Sequence, residues 1–343
     1  MSKRIAMFNH KGGVSKTTSV YNIGWTLSKS AKVLIVDADP QCNLSALVLG
    51  DDFEPYYDDP KTQYQNIKDG VKVAFEGKPS AIAAVDCYSP QRAPSLYLLA
   101  GHANLSEYDA ALTFAQTSNN AIATLQNLPG AFSELLRLTE NKYSIDYTFI
   151  DMNPSLSAIN QNLFISSHAF VVPTNPDPFS VMAIETLKTV LPRWLAWAKG
   201  AAPLFSGAAY PLPDFSPKFA GSIIQRFNIR KGKAARPYRD NIAEIKAAIA
   251  GGFLNSLSKA GMTLPQGEYP DAFVAAEYCL GEIPDFQGLL PKAYDAGVPV
   301  FELTNAEIHE TGPILAQMVE KRDLFLGQFT ELSKTLVAIL SNV

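Results

Sequence analysis

Cysteine is scarce in this chain. Three stand among 343 residues, at Cys42, Cys87 and Cys279, with no C-x-x-C pair, which argues for a reduced compartment and against a cluster or metal site. The four histidines (His10, His102, His168, His309) share no ligand spacing. An excess of positive charge is missing too. Basic residues number 29 against 33 acidic, a net charge of −4, so any contact with nucleic acid must come from a local patch. No apolar run approaches the ~20 residues that span a bilayer, and Lys3-Arg4 leads directly into an apolar segment, leaving no room for a signal peptide. There is no internal repeat and no low-complexity tail. A hydrophobic content of 47% with 18% charged residues describes a globular chain with ample core. The expectation is a cytoplasmic protein without a membrane anchor.

What is present is a rhythm. Strand-like apolar runs at 5–8, 33–36, 96–99, 147–150, 170–172, 219–224, 278–280 and 298–303 alternate with helical patterns. Several are almost continuously apolar, as strands covered on both faces should be. Such alternation predicts an α/β fold with a doubly wound, mostly parallel sheet and helices on both faces. Two stretches break it. Residues 51–94 begin acidic (Asp51, Asp52, Glu54, Asp58, Asp59) and read as a surface insertion; 201–217 is rich in proline and small residues and reads as a loop. An amphipathic stretch at 324–340 reads as a C-terminal helix packed on the core. We read residues 1–343 as a single domain.

Residues 9–18 spell N-H-K-G-G-V-S-K-T-T. They follow the first apolar run and open a helical pattern, with Val20, Ile23, Gly24 and Leu27 at i, i+3, i+4 and i+7. Strand, glycine loop and helix with a lysine at its start is the grammar of a phosphate cradle. Gly12 and Gly13 let backbone N–H groups face an anion, and the helix start adds free amides and positive dipole. Gly12, Gly13, Val14, Ser15, Lys16, Thr17 and Thr18 form the candidate nucleotide loop, with Lys16 on the terminal phosphates and Thr17 on Mg2+. The plainer alternative is a glycine turn ahead of a helix. A second run, 33–41, ends V-D-A-D-P-Q and places Asp37 and Asp39 at a strand's carboxyl end, where open parallel sheets keep their ligands; an aspartate-rich cap is the alternative. A third, 147–155, delivers Asp151 in the manner of a Walker B metal ligand, since Mg2+ needs few protein ligands beside a triphosphate. Residues 226–239, R-F-N-I-R-K-G-K-A-A-R-P-Y-R, concentrate six cations: Arg226, Arg230, Lys231, Lys233, Arg236 and Arg239. They read as a flexible phosphate-contacting surface, as a solvated loop, or as cations beside the nucleotide.

The spelling K-G-G-x-x-K-T, followed by D-x-D-P-Q, resembles the ParA/MinD family of deviant Walker A P-loop ATPases, closest to ParA/Soj-type partition proteins. Ser15 stands where the family more often has glycine, and Asn153 where it writes proline. The resemblance implies a SIMIBI-type P-loop fold and a Mg2+-dependent ATPase working as an ATP-sandwich homodimer. Lys11 would then reach the partner's phosphates, Asp39 would orient the attacking water, and Asp37 would support Mg2+ through its water shell. Looser matches make Gln225 an adenine contact and Pro284-Asp285 part of the loop over the base. It further implies non-specific DNA binding in the ATP state by the basic patch, and an activating ParB-like partner. Alternatives remain: an ATP-gated regulator of a protein effector, as in anti-phage defence, without DNA; or a metabolic enzyme of dethiobiotin-synthetase type, against which Lys11 weighs.

Overall fold

The computed structural model describes residues 2–118, 125–230 and 233–343. In chain order the elements are β1 (Lys3–Met7), α1 (Lys16–Ser28), β2 (Val33–Ala38), α2 (Asn43–Leu49), α3 (Phe53–Asp58), α4 (Ile67–Phe75), β3 (Leu96–Leu99), α5 (Asp109–Thr117), α6 (Leu128–Tyr143), β4 (Tyr147–Met152), α7 (Ala158–Ile165), β5 (Ala169–Thr174) and α8 (Pro178–Ala201). The second half holds β6 (Lys218–Gln225), a short hairpin of β7 (Ile229–Arg230) and β8 (Lys233–Ala234), α9 (Arg236–Ala248), α10 (Leu254–Lys259), α11 (Asp271–Ala275), β9 (Cys279–Ile283), α12 (Leu289–Asp295) and α13 (Gly312–Leu340).

Seven strands form one parallel sheet in the order β3-β2-β4-β1-β5-β6-β9. Each apolar run feeds two cores, because successive side chains of a strand point to opposite faces. Ala6, Leu34, Val36, Ile150 and Phe170 join one core with Phe132, Phe164 and Trp194. Ile5, Met7, Val33, Ile35 and Phe149 join the other with Trp25, Phe325 and Phe329. Helix α1 approaches the sheet closely at Gly24, where a Cβ would lie 2.8 Å from Ile35 Cγ2. The carboxyl ends of β2, β4 and β1 lie side by side, with Asp37 in register with Asp151. That edge is where the loops of an open α/β sheet make a crevice.

Three expectations need correcting. Residues 298–303 are apolar but form no strand. They make a tight 3-10 turn (Val300–Glu302) after Gly297 at φ +62° and Pro299, which has no N–H for a ladder; Val298, Val300, Phe301 and Leu303 are apolar because they are buried. The 51–94 stretch is not wholly a surface insertion. Its acidic start is exposed, but Ile67, Val71, Ile82 and Val85 enter the core beneath β2. The basic segment is not one flexible loop either: it divides into the end of β6, the hairpin and the first turn of α9. Helix α13 begins earlier than 324, yet its buried residues run from Phe325 to Leu340, which is why only that part carried an amphipathic signal. Among the described residues no helix is long and apolar enough to cross a membrane.

Phe329 is fully buried between α13 and the sheet. Phe329→Ala is expected to lower stability by about 3–5 kcal/mol, read as a shift of the whole unfolding transition in denaturant. A separate early transition with an unchanged main one would show that α13 folds independently.

Candidate functional site

The loop between β1 and α1 is held from below by two asparagines. Asn9, fully buried, donates from Nδ2 to the Pro173 carbonyl at 2.8 Å and accepts the Lys11 N–H at 3.0 Å. Asn175 Nδ2 donates to the Gly13 carbonyl at 2.8 Å. Asn9 thus takes the Lys11 N–H and Asn175 the Gly13 carbonyl, which fixes the loop's shape at two points. Gly13 sits at φ +71° and Ser15 at φ +60°; the left-handed turn costs a side-chain-bearing residue about 1–2 kcal/mol, which accounts for glycine at Ser15's place being commoner in the resembled motif. Helix α1 carries no side-chain cap and no acidic residue in its first turn, so its amides stay open to an anion.

Lys16, 7% exposed, donates from Nζ to the carbonyls of Asn9 at 3.2 Å and Lys11 at 3.4 Å. Burial pushes its pKa down, while Asp151 and Asp39 pull it up. Asp151, 1% exposed, accepts from Thr17 Oγ1 at 2.6 Å; burial first, then Asp37, raises its pKa. A buried carboxylate whose side-chain donor is a threonine hydroxyl suits a hard cation. No cluster of three or more His, Cys, Asp or Glu side chains capable of holding a metal occurs among the described residues; Thr17 Oγ1 and the Asp151 carboxylate are the oxygen donors here that could hold a divalent cation.

Asp37 is fully buried at the end of β2. Its Oδ2 accepts from the Ser45 N–H at 2.8 Å and Ser45 Oγ at 2.7 Å, and its Oδ1 from the Asp39 N–H at 3.2 Å. Both oxygens are occupied by protein donors, so the geometry makes Asp37 the anchor of the turn that presents Asp39. Asp39 lines the cleft, its Oδ1 accepting from the Gln41 N–H at 3.0 Å.

The loop, Lys16, Thr17 and Asp39 line one cleft of about 700 Å³, with the buried Asp151 carboxylate reached through its bond to Thr17. Gly12, Gly13, Val14, Ser15, Lys16, Thr17 and Thr18 make its floor; Gln225, Arg226, Pro284 and Asp285 stand on the β6–β9 side. Gln225 lines the cleft, and its Nε2 donates to Ser19 Oγ at 2.5 Å and Ser15 O at 3.4 Å, which ties the end of β6 to the start of α1. One end of the cleft is apolar, formed by Leu47, Phe286, Leu290 and Tyr294, and no sequence motif marks it. These come from three elements with no shared motif, and only their packing brings them together.

Lys11 does not line this cleft. Its Nζ pairs with Asp177 Oδ2 at 2.5 Å and lies 3.3 Å from Ser180 Oγ, at the start of α8. Asp177 also caps that helix by accepting the Ser180 N–H at 3.0 Å. Beside this contact Phe179 and Met182 are 68% and 66% exposed. Of the basic patch, Arg226 stands on the cleft rim, whereas Arg230, Arg236 and Arg239 are exposed without an ion-pair partner among the described residues. Lys231 lies outside the described residues; Lys233 is placed in β8 by its backbone.

Residues 2–194 match the family model described as an AAA domain (AAA_31). Together with the K-G-G-x-x-K-T loop and the parallel sheet, that decides the matter. The chain belongs to this family, in its ParA/MinD type of P-loop ATPases. A virulence plasmid ParA family protein of Chlamydia psittaci is 28% identical over 188 residues, covering 54% of this chain and 62% of that protein. The chain thus spans between half and two thirds of the length of the first curated relatives it matches. A McdA variant of Cyanothece in complex with ATP shares the fold at TM-score 0.54 and 19% identity, over 95% of this chain and 96% of that one. The ParA of pNOB8, solved on nonspecific DNA, does so at TM-score 0.57 and 18%, over 100% and 99%. In this ParA/MinD-type chain the family match ends within α8, and the later elements, β6 and β9 among them, are placed by fold alone.

The Asp37 carboxyl, in the core, is pushed up by burial to about 6. Folding therefore tightens its proton, and the stability this group contributes is complete below about pH 4 and is lost as pH rises through its folded value. Asp37→Ala strands the Ser45 and Asp39 amides and is expected to cost about 2–3 kcal/mol near pH 5, and less near pH 8, measured by urea unfolding at both.

Proposed function

We propose that this ParA/MinD-type chain is a dimeric, Mg2+-dependent ATP switch whose ATP state holds non-specific DNA and whose hydrolysis releases it. The observation that carries the reading is the placement of Lys11. A lysine in the phosphate loop that does not line its own cleft, and sits beside exposed Phe179 and Met182, is suited to act on a second copy's nucleotide. We take residues 1–343 as one working unit.

In this reading the amides of the 12–18 loop and of the α1 start hold the phosphates, and Lys16 leaves the Asn9 and Lys11 carbonyls for the terminal phosphate oxygens, exchanging neutral acceptors for charged ones. Thr17 and Asp151 hold Mg2+, which supplies charge neutralisation on the phosphates. Asp39, held forward by Asp37, orients the water. Lys11 must leave Asp177 to cross to the partner, so the phosphoryl charge is fully neutralised only in the homodimer. With a carboxylate as the strongest base on the water, turnover is slow, which leaves room for an activating protein of ParB-like kind.

Arg230, Arg236 and Arg239, with Lys231 and Lys233, form the DNA surface. A chain of net charge −4 concentrates exposed cations there, and a neighbour of the same fold was solved on nonspecific DNA. Two such patches on a homodimer would sum.

Asp39→Ala with ATP and Mg2+ is expected to form a dimer by light scattering and to bind DNA with an affinity that falls steeply with salt. Replacing Arg230, Lys231 and Lys233 should abolish the DNA binding and keep the dimer. A dimer that ignores DNA would favour a protein effector as the partner. Lys16→Ala is expected to lose ATP affinity by about 10–100-fold.

A further inference from the structure

We propose that Arg226 is a phosphate-binding residue of the cleft, acting in the same subunit as Lys16 and distinct from the DNA surface. This rests on the reading of the cleft as a nucleotide site. Arg226 follows the last residue of β6 at φ +62°, a backbone region that favours glycine or asparagine and that arginine occupies rarely. The conformation is imposed from both sides: the Arg226 N–H donates to Ile283 O at 3.1 Å, and the Asp285 N–H to Phe227 O at 3.0 Å. Those two bonds clamp the end of β6 to the 283–285 segment and turn the Arg226 side chain onto the cleft rim.

There the guanidinium has little to hold it. It makes no ion pair among the described residues, and its contact with the loop is a long donation from a terminal nitrogen to the Gly13 carbonyl, at 3.4 Å. That carbonyl is already taken by Asn175 at 2.8 Å, so the arginine is not needed to fix the loop. An exposed cation at a strained backbone position, spending one weak bond on a phosphate loop, is placed for an anion rather than for packing. Its planar fork matches phosphate oxygens, and a charged acceptor displaces a neutral carbonyl. Because Gly13 belongs to the loop that cradles phosphates, a short swing of the side chain carries it from the carbonyl to the ligand.

The test is equilibrium binding of a fluorescent ADP to the whole chain, titrated with salt, for wild type, Arg226→Asn and Arg226→Lys. Asparagine tolerates the left-handed backbone, so Arg226→Asn removes the charge with the turn intact. The proposal expects Arg226→Asn to weaken ADP by about tenfold or more and to flatten the salt dependence, and Arg226→Lys to restore that dependence with partial affinity. Equal affinity in Arg226→Asn, or a loss with the salt dependence unchanged, would overturn it. If wild type itself binds no ADP, the nucleotide reading fails first and this inference with it; if wild type binds and Arg226→Asn matches it, this inference alone falls.

Discussion

A site for a polyanion must keep its own charges in order before the anion arrives, and that constraint shapes the centre of this molecule. Lys16 and Asp151 are both buried at the carboxyl edge of the sheet, where burial works against each charge. They are made tolerable by neighbours of different kinds. Backbone carbonyls of the loop receive the ammonium, the Thr17 hydroxyl donates to the carboxylate, and each charge partly offsets the other. The parallel sheet is what makes this possible, because it delivers β1 and β4 side by side, and with them the loop and the aspartate.

The same logic explains why Asp37 and Asp39 have separate duties. One is fully buried and satisfied by three protein donors; the other, two residues on, is turned to the cleft. Strand alternation would place both on one face, but the strand ends at Ala38, and the turn that follows separates them. Lys11 is stabilised within its own subunit by the carboxylate that caps α8. In the proposed switch, dimerisation must compete with that ion pair, so the subunit alone is held in a state unable to complete its partner's site.

Much of this was legible in the sequence where chemistry fixes spacing. The loop from Gly12 to Thr18, the strand before it and the helix after it follow from the special backbone needs of glycine and the helix start. The sheet follows from apolar runs long enough for strands. What escaped notice depends on contacts between distant segments. Nothing local says that residues 298–303 are buried without pairing, that Asp177 will meet Lys11, that Gln225 will fasten α1, or which of the six cations will stand at the cleft. Leu47, Phe286 and Tyr294 likewise carry no signal until the chain is folded.

The central claim, that Lys11 acts across a homodimer, is tested most directly by mixing two inactive variants. Lys11→Ala keeps Asp39 but cannot supply the crossing lysine; Asp39→Ala supplies the lysine but cannot orient the water. Each alone should fail to hydrolyse ATP, and the mixture should recover up to about half of the wild-type rate per mixed dimer, since one of its two sites is complete. A mixture as inactive as its components, under conditions where the two variants associate, would contradict the account and return Lys11 to a role within its own subunit.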